Sequence, residues 1–417
     1  MNIFTPRLIL YSHDTFGLGH LRRNLAISHQ LAHDYPQISQ LLVTGSSQVH
    51  HYPLPAELDY IKLPAIHKGS NGDYQARTLN VSLAGIVHWR ANMILQAARE
   101  FEPDILLVDK APAGMCGELR PTLDYLRRES PATRLVFGMR DIIDAPVATR
   151  REWTDEGIYS LLEETYDAIF LYGSRTFFDP IHEYDLSPRL SAKLIECGYI
   201  RRTDPIRPRE EILKELQPRG EVLLVVTAGG GGDGAELVRT TLEMLSDERR
   251  KGRSTFHAFV VTGPLMSGEE RAYVQSYAEQ DLPLTLVEFT TDLMSYLHAA
   301  DIVVSMGGYN TICEILALRQ RAVIVPRATV RAEQLVRAER LAARGQARVI
   351  HPSQLTSARL LAEIHLALAS PRPDPGRAGI DFKGLDRISS ACGEQLNLVW
   401  PYLTLTGALS PAARLLQ

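Results

Sequence analysis

The sequence predicts an α/β protein made of two doubly wound parallel-sheet domains facing a cleft, and three observations carry that expectation. Short apolar, β-branched runs alternate with longer helical patterns, the form taken by repeated βαβ units whose sheets are covered on both faces. The 417 residues exceed what one hydrophobic core usually serves. A stretch rich in Arg and Pro, Gly198 to Gly220, divides the strand patterns into two sets.

In the first set, Leu8 to Tyr11, Gln40 to Thr44, Ile105 to Asp109, Arg134 to Phe137 and Ala168 to Tyr172 read as strands. In the second, Val222 to Thr227, Ala258 to Thr262, Thr285 to Glu288, Ile302 to Ser305 and Ala322 to Val325 do so. Helical patterns fill the intervals. These spacings place a Rossmann-like domain over 1–200, a linker over 201–219, a second Rossmann-like domain over 220–370 and a C-terminal segment over 371–417. Pro205, Pro208 and Pro218 are expected to keep the linker irregular and its charges solvated. A last helix beginning near Leu385 is expected to pack back on the first domain.

Composition narrows the function classes. With 45% hydrophobic and 23% charged residues the chain is an ordinary globular protein, and a net charge of -4 supplies no basic stripe for nucleic acid. Met1 to Ser12 lacks the pattern of a secretory signal and no apolar run reaches membrane-spanning length, so a cytoplasmic location is expected. The four cysteines, Cys116, Cys197, Cys313 and Cys392, have neither metal-ligand nor disulfide spacing.

The first chemical signal follows the strand Leu8 to Tyr11, where Gly17, Gly19 and His20 open a helix carrying Leu21, Leu25, Ile27 and Leu31. Ligands of open parallel sheets bind beyond the carboxyl ends of the strands, and glycines there let backbone approach closely. In the first helical turn the positive end of the dipole disfavours imidazolium, which suits His20 to take a proton from a hydroxyl. Arg23 is placed to meet a phosphate or carboxylate from that loop, and His13 and Asp14 share it. Asp109, ending a central strand, is placed to orient His20; Arg140 and Asp141 hold the equivalent position one strand over, and aspartates there are also ordinary turn formers.

The second signal is a pair of glycine turns. Gly229, Gly230, Gly231 and Gly232 separate a strand from a helix, where successive amides and a helix start make a nest suited to a diphosphate. No Gly-Lys-Ser/Thr follows, which argues against ATP hydrolysis. The strand Ile302 to Ser305 then opens into Met306, Gly307, Gly308, Tyr309, Asn310 and Thr311, with Glu314 one turn deeper, placed to accept ribose hydroxyls. After the next strand, a loop brings Glu333 and Gln334 within reach of sugar hydroxyls.

This second half resembles the C-terminal domain of glycosyltransferase family 28, and the stretch from about Leu8 to Ile350 resembles MurG-type transferases of the GT-B fold, which move N-acetylglucosamine from UDP. The resemblance implies that Gly307, Gly308, Asn310 and Thr311 line the diphosphate, Glu314 the ribose, Phe289 the base, and Glu333 and Gln334 the donor sugar. Two departures stand out. The Gly-x-Gly-His-x-x-Arg loop ending at Arg23 is also similar to nucleotide-sugar hydrolases of the pseudaminic acid pathway, and Glu333-Gln334 replaces two adjacent glutamines.

The expected function is therefore inverting, metal-independent transfer of a sugar from a nucleotide-diphosphate donor, UDP-linked by resemblance, to a hydroxyl acceptor that is a glycan, a lipid-linked intermediate or a small molecule. No cofactor and no metal site are expected. A hydrolase or epimerase on the same fold, and a non-catalytic nucleotide-sugar sensor, are the alternatives. The acceptor region is expected over Pro64 to Arg90, with Lys68 to Asp73 as a polar loop and Trp89 packed in the core. A lipid-linked acceptor would require peripheral contact with the inner membrane face.

Overall fold

The computed structural model describes residues 5–13, 19–68, 74–202, 204–253, 255–329 and 331–396. A seven-stranded sheet forms the first domain from β1 (Arg7–Ser12), β2 (Ser39–Thr44), β3 (Leu58–Lys62), β6 (Ile105–Asp109), β7 (Arg134–Arg140), β8 (Ala168–Tyr172) and β9 (Leu194–Glu196), ordered β3-β2-β1-β6-β7-β8-β9 and parallel throughout. A short antiparallel hairpin, β4 (Ile66–Lys68) with β5 (Tyr74–Ala76), projects from it. The second domain carries β10 (Val222–Thr227), β11 (Phe256–Val261), β12 (Leu284–Val287), β13 (Ile302–Ser305), β14 (Ala322–Ile324) and β15 (Arg348–Val349), ordered β12-β11-β10-β13-β14-β15 and again all parallel.

The central strands are apolar because helices cover both faces. All five residues of β6 and all five of β8 are buried, and only in such a strand does a near-continuous hydrophobic run replace alternation. The strands absent from the sequence reading, β3, β9, β15 and the hairpin, are edges or very short pieces. Leu58–Lys62 buries one residue of five, so it lacks the apolar run by which the inner strands are recognised.

The linker departs from expectation. Arg209–Leu216 is a helix with Pro208 at its N-cap, because the prolines flank the segment instead of interrupting it, and the residue before a first helical turn tolerates a fixed φ. Arg207 and Arg209 are docked on carboxylates, while Arg201 is exposed. Arg207 Nε donates to Asp292 at 2.7 Å, and Arg209 grips both oxygens of Asp301 at 3.0 Å.

The helix Gly384–Gln395 packs against the first helix, Gly19–Asp34. Ser389 Oγ donates to Asp34 at 2.5 Å, and the Tyr35 hydroxyl donates to the Ser389 carbonyl at 3.3 Å. A side chain at position 393 would collide with that tyrosine, which is why a glycine sits in mid-helix there. Trp89 is half exposed, not packed in the core. On the helix Leu83–Phe101, Ile86, Arg90, Ala91, Ile94 and Ala98 make the buried stripe, and position 89 falls off it.

Candidate active site

Sheet register decides which loops can meet. In the second domain β10 and β13 are adjacent and parallel with Thr227 opposite Ser305, so the turns beginning at Ala228 and Met306 leave neighbouring strand ends side by side. In the first domain β1 pairs with β6 and β6 with β7, bringing the starts of the His20 helix, Asp109 and Arg140 to one rim.

The core of the first half-site is a buried triad. His20 Nδ1 lies 2.5 Å from Asp109 Oδ2, with Asp109 fully buried and His20 only 8% exposed. Nδ1 also has Arg23 Nη2 at 3.0 Å, but its shorter contact is to the carboxylate, which can only accept, and this assigns the proton to Nδ1 and the lone pair to Nε2. Burial disfavours the imidazolium and, although Asp109 opposes it, brings the His20 pKa down to about 4. Desolvation, more than the helix dipole, thus keeps this histidine neutral. For Asp109, burial alone would raise the pKa, but Arg23 and His20 outweigh it and hold the carboxyl well below the usual range.

Of the two partners expected for Arg23, a phosphate or a carboxylate, the structure supplies the carboxylate. The arginine is buried, donating through Nε to Asp109 Oδ1 at 3.0 Å and through Nη2 to Oδ2 at 2.5 Å. Its guanidinium also lies over the rings of Tyr172 and Tyr309, 5.9 and 5.5 Å from their centroids. A cation spent this way is unavailable to substrate; it keeps Asp109 ionised and aimed. His13 stacks obliquely on His20 with ring centroids 4.7 Å apart, and burial, reinforced by His20, lowers its pKa well below the ordinary histidine value. Gly17 and Asp14 lie outside the described residues, as do the loop positions 69–73.

The second half-site divides into backbone with amides free of a side-chain cap and glycines that packing requires. Gly308 caps the helix Tyr309–Ala317 with φ -63° and no side-chain acceptor, so the first-turn amides stay open to a ligand oxygen. The four-glycine turn is less of a nest than its sequence suggests. The Gly229 amide bonds to Thr227 Oγ1 and the Gly231 amide to the Ala228 carbonyl. At Gly231, with φ +91°, a Cβ would sit 2.5 Å from the Thr262 carbonyl, so this residue is a glycine because two loops touch there.

Several expected donor contacts are redirected by the packing of one domain on the other. Tyr309 is buried under its helix, stacked on Tyr199, and its hydroxyl accepts from the Ile200 amide at 3.2 Å. Asn310 Nδ2 donates to the Gly19 carbonyl at 2.9 Å, tying this helix start to the His20 loop. Glu314 is buried and takes Arg22 at 2.5 Å and Arg202 at 3.0 Å, so arginines occupy the carboxylate expected to hold a ribose. Glu333 and Gln334 begin the helix Glu333–Ala343 instead of lying in a loop. Gln334 Oε1 accepts from the amides of Gly307 and Arg327, at 3.2 and 3.1 Å, and Glu333 Oε1 accepts from Arg327 at 2.6 Å. Thr311 is buried in the first turn of its helix, Met306 is partly buried, and Phe289 is partly buried with its ring 6.0 Å from that of His51.

Residues the sequence reading did not assign hold the halves together. Arg337 grips Asp141 through Nε and Nη2 at 2.9 and 2.6 Å, both side chains essentially inaccessible, and its Nη1 donates to the Gly307 carbonyl at 2.9 Å. Arg331 reaches Glu152 at 2.9 Å and Asp144 at 3.4 Å. A lone Arg on a helix gives no sequence signal that its partner lies nearly two hundred residues away.

The model of the glycosyltransferase family 28 C-terminal domain matches residues 223–375. The second domain belongs to glycosyltransferase family 28. This family 28 domain holds the Gly308 turn, Glu314 and the Glu333 helix within its bounds. Among curated relatives, an uncharacterized glycosyltransferase of Methanopyrus kandleri is 27% identical over 188 residues, 44% of this chain and 50% of the relative. The UDP-N-acetylglucosamine–N-acetylmuramyl-(pentapeptide) pyrophosphoryl-undecaprenol N-acetylglucosamine transferase of Agrobacterium fabrum is 27% identical over 177 residues, 40% of this chain and 45% of that protein. The chain thus spans about half the length of the curated relatives it matches. Across both domains, the solved glycotransferase of kitacinnamycin superposes with a TM-score of 0.63 at 15% identity, covering 94% of this chain and 100% of that one. The two-domain architecture is the GT-B fold.

Proposed function

We propose that the protein transfers a sugar from a nucleotide-diphosphate donor, UDP-linked, to a hydroxyl acceptor, with inversion at the anomeric carbon and without a metal. The observation that carries this reading is the neutral His20, oriented by Asp109 and joined through Gly19 and Asn310 to the open amides at the start of the family 28 helix. His20 Nε2 takes the proton of the attacking hydroxyl, while first-turn amides take up charge developing on the departing diphosphate. Asp109 stabilises the imidazolium formed in that step, and Arg23 holds Asp109 in place. One displacement from the face opposite the leaving group inverts the centre. For Glu314 to hold a ribose, Arg22 and Arg202 must first yield it, so donor binding on this reading loosens one contact between the domains.

No described helix is long and apolar enough to cross a membrane. We place the protein in the cytoplasm; a lipid-linked acceptor, of the kind named for the Agrobacterium relative, would bring it to the inner membrane face. The test is incubation with a panel of UDP-sugars and hydroxyl acceptors followed by mass spectrometry, with His20→Ala as control. Glycosylated acceptor from wild type alone supports transfer. Free sugar without acceptor would show a hydrolase, an altered UDP-sugar an epimerase, and unchanged ligand that still binds a sensor.

A further inference from the structure

The cleft holds many charges, and most are paired. Arg23 takes Asp109, Arg337 takes Asp141, Arg331 takes Glu152 and Asp144, and Arg327 bridges Asp233 and Glu333. Among the described residues, Lys110 and Arg140 are left without an ion pair. They sit on neighbouring strand ends: Lys110 directly follows the Asp109 that orients His20 and donates its amide to Gly138, while Arg140 is the last residue of β7.

Neither is placed as an ordinary surface charge. Arg140 is 9% exposed, and its Nε and Nη2 are buried without a hydrogen-bond partner among the described residues. Burial and the repulsion of Arg23 and Arg337 lower its pKa to about 10. Lys110 is partly buried; desolvation, then Arg140 and Arg331, push its pKa well below the usual lysine value. It holds a left-handed φ of +66°, costly for a residue with a side chain and characteristic of functional sites. Of the carboxylates that act on them, Asp109 and Asp141 are held on both oxygens, whereas Glu333 spends Oε1 on Arg327 and leaves Oε2 buried without a hydrogen-bond partner among the described residues. Burial would raise the Glu333 pKa, but Arg140, Arg327, Lys110 and Arg337 outweigh it and lower the pKa, so this carboxylate is shared among several cations. An uncompensated buried cation is expensive, and a site that retains two is built for an anion that arrives with the ligand.

We propose that Lys110 and Arg140 form an oxyanion site on the acceptor side of the cleft, so that the acceptor carries a carboxylate or phosphate close to the hydroxyl that reacts. The site belongs to the first domain and lies beside His20, which separates it from the glycine turns of the second. The inference rests on the transfer reading only in assigning the anion to the acceptor; the anion site itself stands on the unpaired cations.

Thermal unfolding of the full chain separates these points, with inorganic phosphate as one probe and UDP as another, at fixed ionic strength against chloride. The forms compared are wild type, Lys110→Met, Arg140→Met, the charge-keeping Lys110→Arg and Arg140→Lys, and Gly308→Val, which crowds the diphosphate turn. Phosphate is expected to raise the midpoint of wild type, of Gly308→Val and of both charge-keeping variants by several degrees. Each methionine variant is expected to lose at least half of that shift, to unfold no earlier than wild type without anion, and to keep its response to UDP. A phosphate response that survives in both methionine variants but vanishes in Gly308→Val would put the anion in the glycine turn and overturn the proposal, as would a response matched by chloride. Early unfolding of anion-free Arg140→Met, rescued by Arg140→Lys, would make the arginine structural and also overturn it. Loss of the UDP response in every form, with the phosphate pattern intact, would refute the nucleotide reading and still support the anion site.

Discussion

Lowering the pH tests the electrostatics of His20 directly. Its pKa falls from 6.5 to about 4 because burial, only partly countered by Asp109, disfavours the imidazolium. Between those values the unfolded chain binds a proton that the folded chain does not, so folding stability rises with pH across this window. The contribution is complete above pH 6.5 and is lost as the pH falls toward 4. At 1.36 kcal/mol per unit the full displacement is worth about 3 kcal/mol, of which about 2 kcal/mol disappears between pH 7 and pH 5. Urea unfolding of wild type and His20→Gln at both pH values reads the term as a difference, and repeating it in a His13→Gln background removes the share that passes through His13, whose pKa burial and His20 lower. Wild type should lose about 2 kcal/mol more than the variant on going to pH 5. Equal losses would mean that His20 titrates normally, and the account of a base kept neutral by burial would be wrong.

Three further outcomes follow from the geometry. Gly308→Val and Gly231→Ala should behave oppositely. Position 308 has an ordinary φ and open space, so stability should change by no more than about 1 kcal/mol while the KM for donor rises at least about 10-fold, the loss of one charge-assisted hydrogen bond; at 231 the left-handed φ and the Thr262 carbonyl should cost roughly 2 kcal/mol or more in urea unfolding. Arg337→Met leaves Asp141 buried without its cation, held only by the Ile142 amide and the Tyr199 hydroxyl, and should cost about 3–5 kcal/mol, most of it recovered when Asp141→Leu is added. Asp109→Asn removes the negative charge and turns one of the two acceptor oxygens into an NH2 donor, so the His20 tautomer is no longer fixed, and should lower kcat by about 10²–10⁴-fold with little change in KM, as steady-state kinetics on an identified donor would show.

The chain's own pattern was sufficient for the fold and for where its ligand-facing loops lie. Parallel strands buried on both faces must be apolar along their length, and β1, β6, β8, β10 and β13 are, so their ends and the glycine turns after them could be placed from local sequence alone. The same locality made His20 and Asp109 legible, because each stands where a central strand meets a loop.

What each charged or aromatic side chain does was settled only by tertiary packing, within a domain for Arg23 and Gln334 and between domains for Glu314 and Tyr309. Arg23, Glu314, Tyr309 and Gln334 all sit near the cleft as expected, yet their polar atoms are spent on Asp109, on Arg22 and Arg202, on the Ile200 amide and on the turn at Gly307. The partners of Arg337 and Arg331 come from the other domain, and so does the charge balance that leaves Lys110 and Arg140 without carboxylates. Periodicity reports burial within one element, whereas a hydrogen bond or ion pair depends on atoms brought together from distant parts of the chain. The first is written along the sequence, and the second exists only once both sheets are in place.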